Sequence, residues 1–209
     1  MSVPHLQGIV YDVLLTINGS YVISKDQIIF QNPLHREDKI QIIRNLKKMN
    51  RALAISNEHF IVTNGTDPDL EQYFAFGNET MKIADNFDAL CEEDIYQIMC
   101  SCRKEEYDQV LQGTSNTQIT AWWDKAVDII PADCGKGNAV NAVLNYFGVS
   151  KEEAIAFGDG QNDIEMLEAV GTGIAMGNAK DEVKKRADIT CRSVEEDGFY
   201  YYCLENGLL

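Results

Sequence analysis

The sequence has no apolar run approaching the ~18–20 residues that a membrane-spanning helix needs, which argues against a bilayer protein. It is also short of positive charge, with 18 Lys and Arg against 33 Asp and Glu and a formal net charge of −15. A polyanion partner needs a basic face, so nucleic acid is excluded as a partner. The short basic clusters, Lys47-Lys48 and Lys184-Lys185-Arg186, read as solvated helix faces. The opening MSVPHLQGIV has neither a basic n-region nor a long apolar h-region, so it does not read as a secretion signal. Zinc-type cysteine pairing is missing as well. Cys91, Cys100, Cys102, Cys134, Cys191 and Cys203 are scattered, and Cys100-Ser101-Cys102 is one residue too tight for a knuckle. They are expected to be reduced thiols in a cytoplasmic protein.

What is present is an ordinary globular balance, 45% hydrophobic and 24% charged over 209 residues, enough for one large or two small domains. No internal repeat or low-complexity segment occurs. Gly8 to Ile17 is a β-rich run, and Asn18-Gly19 signals a hairpin leading to strands at Tyr21–Ile23 and Gln27–Phe30. Asn32-Pro33 marks a break. Residues 35–50 place Ile40, Ile43, Leu46 and Met49 on one helical face. Strands are expected over 51–56, 59–63, 94–101 and 117–123, with helices over 69–76 and 105–111. After Lys125 the texture changes to short apolar strands (126–130, 154–157, 173–176) alternating with helices (137–147, 161–169, 179–187), the pattern of a parallel α/β sheet. The expected organisation is an α/β core built from residues 1–30 and 125–209, with an inserted α+β domain over 31–124.

The most informative stretch is IAFGDGQNDIEML, residues 155–167. A buried strand stops at Gly158, and Asp159, Asn162 and Asp163 follow before a helical apolar pattern begins. In open parallel sheets, ligand sites lie at the carboxyl ends of strands. Two carboxylates about 5 Å apart repel by roughly 3 kcal/mol at an effective dielectric of 20, so something must offset them. Oxygen ligands on a short loop suit magnesium better than zinc. The simpler alternative is a helix cap, with Asp159 or Asn162 as N-cap and Asp163 in the first turn. Lys136, in the turn Asp133-Cys134-Gly135-Lys136-Gly137, is a candidate to pair with Asp159 or Asp163 and to hold a phosphate. Its simpler reading is a solvated lysine in a glycine turn.

These residues carry a resemblance. DIIPADCGKGNAV, EEAIAFGDGQNDIEMLEAVGTGIAMGNAKDEVKKRADIT and EEDGF resemble the C-terminal half of the haloacid dehalogenase superfamily, specifically the Cof-type sugar-phosphate phosphatases with a class IIB cap. Upstream, YDVLLTINGSYV and IIFQNPL look like the approach to the cap, and DIYQIMCS and TAWWDKAVDI look like cap strands. The resemblance implies a Rossmann-like α/β core with an inserted α+β cap. It implies a magnesium-dependent phosphatase that forms an aspartyl-phosphate. It assigns Asp159 as direct magnesium ligand, Asp163 as support for the metal or its water, and Asn162 as a contact in the phosphate region. Lys136 steadies the nucleophile and the phosphate. Trp122 and Trp123 fall in a cap stretch that can face substrate, although cap core packing explains them equally well.

The sequence also departs from the family. The opening DxDGT motif and the following strand ending in Ser or Thr do not occur. In GIVYDVLLTI, Asp12 and Thr16 have the right spacing, but Leu14 and Leu15 replace the second Asp and the Gly, so Asp12 is discounted as nucleophile. The expectation is a phosphatase copy that starts late, lacks its first core strands and self-associates through open sheet edges. Its substrate would be a small phosphorylated metabolite. A non-catalytic phosphate-binding module and a phosphomutase remain as alternative functions.

Overall fold

A computed structural model describes residues 11–209, so Gly8 to Val10 of the first β-rich run lie outside the described residues. The chain divides into two compact units, one ending at Cys134 and the other covering Gly135–Leu209.

The first unit is antiparallel. Strands β1 (Leu14–Thr16), β2 (Tyr21–Ser24) and β3 (Gln27–Gln31) form a three-stranded sheet in that order. The Asn18-Gly19 signal is met by a tight turn in which Ile17, Asn18 and Gly19 all have positive φ (53°, 49° and 85°). Helix α1 (Arg36–Lys48) follows the break at Asn32-Pro33, with Glu37 and Asp38 in its first turn and Lys47 and Lys48 in its last, complementing the helix dipole. Its buried face centres on Ile42, Ile43 and Leu46, and Ile40 and Met49 are only partly covered.

A five-stranded sheet is then built from β4 (Leu53–Ser56), β5 (Ile61–Thr63), β6 (Gln97–Ser101), β7 (Thr117–Thr120) and β8 (Ala126–Pro131), in the order β5-β4-β6-β8-β7. Period-2 alternation decides its faces. Leu53, Ile55, Ile98, Cys100, Val127 and Ile129 join the α1 core, whereas Ala54 and Met99 point to the other face, under helix α2 (Pro68–Phe76) with Leu70 and Phe74. Each fully buried Leu or Ile contributes on the order of 1.5–3 kcal/mol to that core. Helix α2 starts where it does because Asp67 accepts from the N–H groups of Asp69 and Leu70 at 3.0 and 3.2 Å, with Pro68 at the first helical position. Helices α3 (Phe87–Leu90) and α4 (Tyr107–Val110) are single turns.

The strand expected at 126–130 therefore exists but does not belong to a parallel sheet. It pairs antiparallel with both β6 and β7, and the compact units part after Cys134. The reason is physical: a central antiparallel strand covered on both faces has the same continuous apolar run as a parallel one. For the same reason of pairing, residues 14–31 fall in the first unit, as an antiparallel sheet of their own.

The second unit is parallel. Helix α5 (Lys136–Phe147) ends on Gly148 in the left-handed conformation (φ 66°). Strands β9 (Ile155–Gly158), β10 (Thr172–Ala175) and β11 (Ile189–Thr190) form a sheet ordered β11-β10-β9, all parallel. Helices α6 (Ile164–Ala169) and α7 (Asp181–Arg186) join Val140 of α5 in covering one side, around Ala156, Leu167, Val170, Ala175 and Val183. Phe157, the next residue along β9, points the other way and meets Phe199 and Tyr202 of α8 (Gly198–Glu205), with ring centroids 4.7 and 5.4 Å apart.

Candidate active site

The loop after β9 is organised by Asp163. This residue is 6% exposed, and its Oδ2 accepts from the backbone N–H groups of Asp159 at 3.0 Å and Gly160 at 2.9 Å. Its Oδ1 forms an ion pair with Nζ of Lys136, the first residue of α5. Both oxygens are thus engaged. The cap-like reading of this loop holds in an altered form: Asp163 reaches back to the N–H groups of Asp159 and of Gly160, the residue that precedes the turn Gln161–Asp163 leading into α6. A glycine is required at the strand end, because a Cβ on Gly158 would lie 2.6 Å from Cβ of Asp163.

Asp159 has a different environment. Its side chain is exposed, and its Oδ2 accepts from Nδ2 of Asn178 at 2.8 Å. Its Oδ1 makes no hydrogen bond among the described residues. Asn162 lies half-buried in the same loop, close enough that a Cβ on Gly160 would stand 2.5 Å from its Oδ1. Lys136, Asp159, Asn162 and Asp163 are therefore gathered in the second unit, and Lys136 pairs with Asp163 rather than Asp159.

The donor set suits a hard divalent cation. An exposed carboxylate oxygen is available on Asp159, next to a second carboxylate whose charge is already met by an ammonium. Among the described residues no group of three or more His, Cys, Asp or Glu side chains gathers for a metal. Magnesium commonly takes one or two carboxylates and fills its octahedron with water and phosphate oxygens.

Trp122 and Trp123 belong to the first unit, just beyond β7. Trp122 Nε1 donates to the Tyr73 hydroxyl at 3.0 Å and its ring lies 4.9 Å from that of Tyr73. Phe76 meets both indoles edge-on at 5.7 and 5.2 Å. Behind them lies a buried network that sequence reasoning missed. Asp128, 2% exposed, accepts from Tyr73 Oη (2.7 Å) and Gln97 Nε2 (2.9 Å) on Oδ1 and from Asn18 Nδ2 (2.8 Å) on Oδ2. Burial, reinforced by the Asp128 charge, pushes the Tyr73 phenol well above its ordinary value, so it stays a donor. The available signal was a lone acid in the apolar run Ala126-Val127-Asp128-Ile129-Ile130. Asn178 was also missed, although it lies in the quoted string GIAMGNAKDEV. Asp12 is exposed, and its backbone carbonyl accepts from the Ser24 hydroxyl at 2.7 Å.

Comparison with known proteins places these features in a family. The sequence pattern of the haloacid dehalogenase-like hydrolases matches residues 3–202. The putative phosphatase YkrA of Bacillus subtilis is 28% identical over 221 aligned positions, covering 99% of this chain and 80% of YkrA. Pyridoxal phosphate phosphatase YbhA of Escherichia coli is 51% identical over a shorter stretch of 67 residues, 32% of this chain and 25% of YbhA. A solved subclass IIB sugar phosphatase of the superfamily superposes with a TM-score of 0.86 at 25% identity, covering 95% of this chain and 76% of that one. The described residues contain no helix long and apolar enough to cross a membrane, and all six cysteines are free thiols. With most of its length matched, the chain belongs to the haloacid dehalogenase-like hydrolase family.

Proposed function

We propose that this chain carries the phosphate- and magnesium-holding machinery of a phosphatase that acts on small phosphorylated metabolites, sugar phosphates foremost, in the cytoplasm. The observation that carries the reading is the Lys136–Asp163 ion pair beside the exposed carboxylate of Asp159. The named phosphatases among the relatives support the reaction class, and the subclass IIB sugar phosphatase supports reading residues 31–124 as a cap.

Each side chain has a separable task. Asp163 fixes the loop by holding two backbone N–H groups, and it keeps the Lys136 ammonium at the strand end. Lys136 offers its remaining N–H donors to phosphate oxygens. Asp159 would hold the cation through its carboxylate. Magnesium, when bound, neutralises phosphate charge and polarises the phosphorus centre. Asn162 contributes its amide to the phosphate region. The residue that attacks phosphorus is not assigned, because no Asp-x-Asp-Gly-Thr string occurs in the 209 residues.

The test is binding first and turnover second. Calorimetry with magnesium and inorganic phosphate should show that each strengthens the other's binding, and Lys136→Ala should remove the phosphate signal. An aryl phosphate should not be hydrolysed above background by the chain of this sequence, since positioning alone does not replace a covalent nucleophile. Phosphate binding that ignores Lys136 would sink the reading of the loop. Robust magnesium-dependent turnover lost in Lys136→Ala would show that the nucleophile is present in another form.

A further inference from the structure

Resting on the reading of Asp159 as the direct cation ligand, we infer that Asn178 is the positioning residue that sets the orientation of its carboxylate. Asn178 follows β10 in Met176-Gly177-Asn178, and its Nδ2 donates to Asp159 Oδ2 at 2.8 Å. The other end of the same amide is anchored, because the backbone N–H of Val194 donates to Asn178 Oδ1 at 3.0 Å. A backbone N–H can meet only the carbonyl end of an amide, so this anchor decides which way the amide faces. The N–H₂ end is left to point at Asp159.

The backbone is shaped to allow this. Gly177 donates its N–H to the carbonyl of Arg192 at 3.1 Å, and a Cβ on Gly177 would stand 2.6 Å from the nitrogen of Ser193. Only a residue without a side chain lets the segment leading to Val194 come that close. Met176 N–H in turn donates to the carbonyl of Gly158 at 2.9 Å, tying the Asn178 loop to the Asp159 loop. Asn178 thereby links three segments: the loop after β9, the loop after β10 and the first residue of the turn Val194–Glu196.

The chemistry of the link is suited to a metal ligand. A neutral amide occupies one carboxylate oxygen and leaves the other without a hydrogen bond, and it brings no charge. A lysine at this place would cancel the charge that attracts the cation, and a second acid would repel Asp159 in the apo protein. Hydrogen-bond partners of metal ligands typically contribute 10–100-fold in metal affinity.

The experiment is a calorimetric titration of magnesium into the full chain at saturating inorganic phosphate, with urea unfolding run in parallel. Asn178→Ala should weaken magnesium binding by about 10–100-fold. Val194→Pro deletes only the anchoring N–H, at the first position of a turn where proline is tolerated, and should weaken it by a smaller factor. Neither loss should scale with the change in urea midpoint, which a merely structural role would require. If Asn178→Ala does not fold, Asn178→Ser, too short to reach Asp159, carries the same expectation. Wild-type binding with undiminished affinity in the Asn178 variant overturns this inference alone. No magnesium binding by the wild type overturns the metal reading and this inference with it.

Discussion

Two of the buried carboxylates, Asp128 in the first unit and Asp163 in the second, are held in different ways. Asp128, in the antiparallel unit, accepts from a phenol and two amides. Asp163, in the parallel unit, is met by an ammonium and two backbone N–H groups. The Asp128 network joins residues far apart in sequence, with Asn18 and Asp128 separated by 110 positions, and it locks β8 to the β1–β2 turn and to α2. The charged cluster is assembled within one α/β segment and keeps donors in reserve. The difference separates a buried acid that specifies architecture from one that organises a ligand site.

The most direct way to break the comparison is Asp128→Ala. Three donors, from buried Gln97 and half-buried Tyr73 and Asn18, would lose this acceptor at once, at about 1–3 kcal/mol for each that stays unsatisfied. We expect a loss of about 3–5 kcal/mol in urea unfolding, at the upper end for single substitutions. A loss below about 1 kcal/mol would mean that water or a rearranged neighbour satisfies those donors, and that the network does not specify the fold.

Much of the second unit was legible in the sequence, and the reason is locality. Asp159, Asn162 and Asp163 lie within five residues, so spacing alone placed them together, whereas Lys136 was joined to them by taking the strand at 126–130 as a neighbour in the same sheet, and that strand pairs with β6 and β7 instead. The Asp128 network was not legible because its partners come from a turn, a helix and another strand. The place of β8 was misread because full burial on both faces erases the alternation that marks an antiparallel strand. Helix α8 escaped because it is aromatic or apolar all round from Phe199 to Leu204, with Phe199, Tyr200, Tyr201 and Leu204 exposed, so no apolar stripe announces it.

Gly158→Ala tests the tight end of the charged cluster. The new methyl would overlap Cβ of Asp163, so either the loop or the helix start must move. Overpacking of this kind costs about 1–3 kcal/mol. The sharper readout is functional: magnesium and phosphate binding should fall together, because both depend on where Asp163 holds the loop. Retained binding would show that the loop tolerates displacement.

Lys136→Met sharpens the contrast between the two acids. Asp163 keeps its two N–H donors, and Lys136 is about one-third exposed (31%), so solvent screens the lost pair. We expect a stability loss of about 1 kcal/mol, well below that of Asp128→Ala, together with loss of phosphate binding. Equal destabilisation by the two substitutions would erase the distinction between an architectural and a ligand-organising carboxylate.

The smallest effect is expected at Asp12, the residue whose spacing to Thr16 imitates a nucleophile motif. Its side chain is exposed, and the structural contact at this position comes from its backbone carbonyl, which a substitution leaves in place. The Thr16 hydroxyl is already donated to the carbonyl of Tyr21 at 3.1 Å, within the β1–β2 pairing. Asp12→Asn removes one charge from an acidic surface and no hydrogen bond seen in the fold. Stability should stay within about 0.5 kcal/mol of the parent, as for surface substitutions generally. Magnesium affinity should be unchanged, whereas Asp159→Asn should abolish it. Titration of the two variants side by side decides the matter: parallel losses would make Asp12 a member of the metal site, and its exposure would then have to be explained by movement on binding.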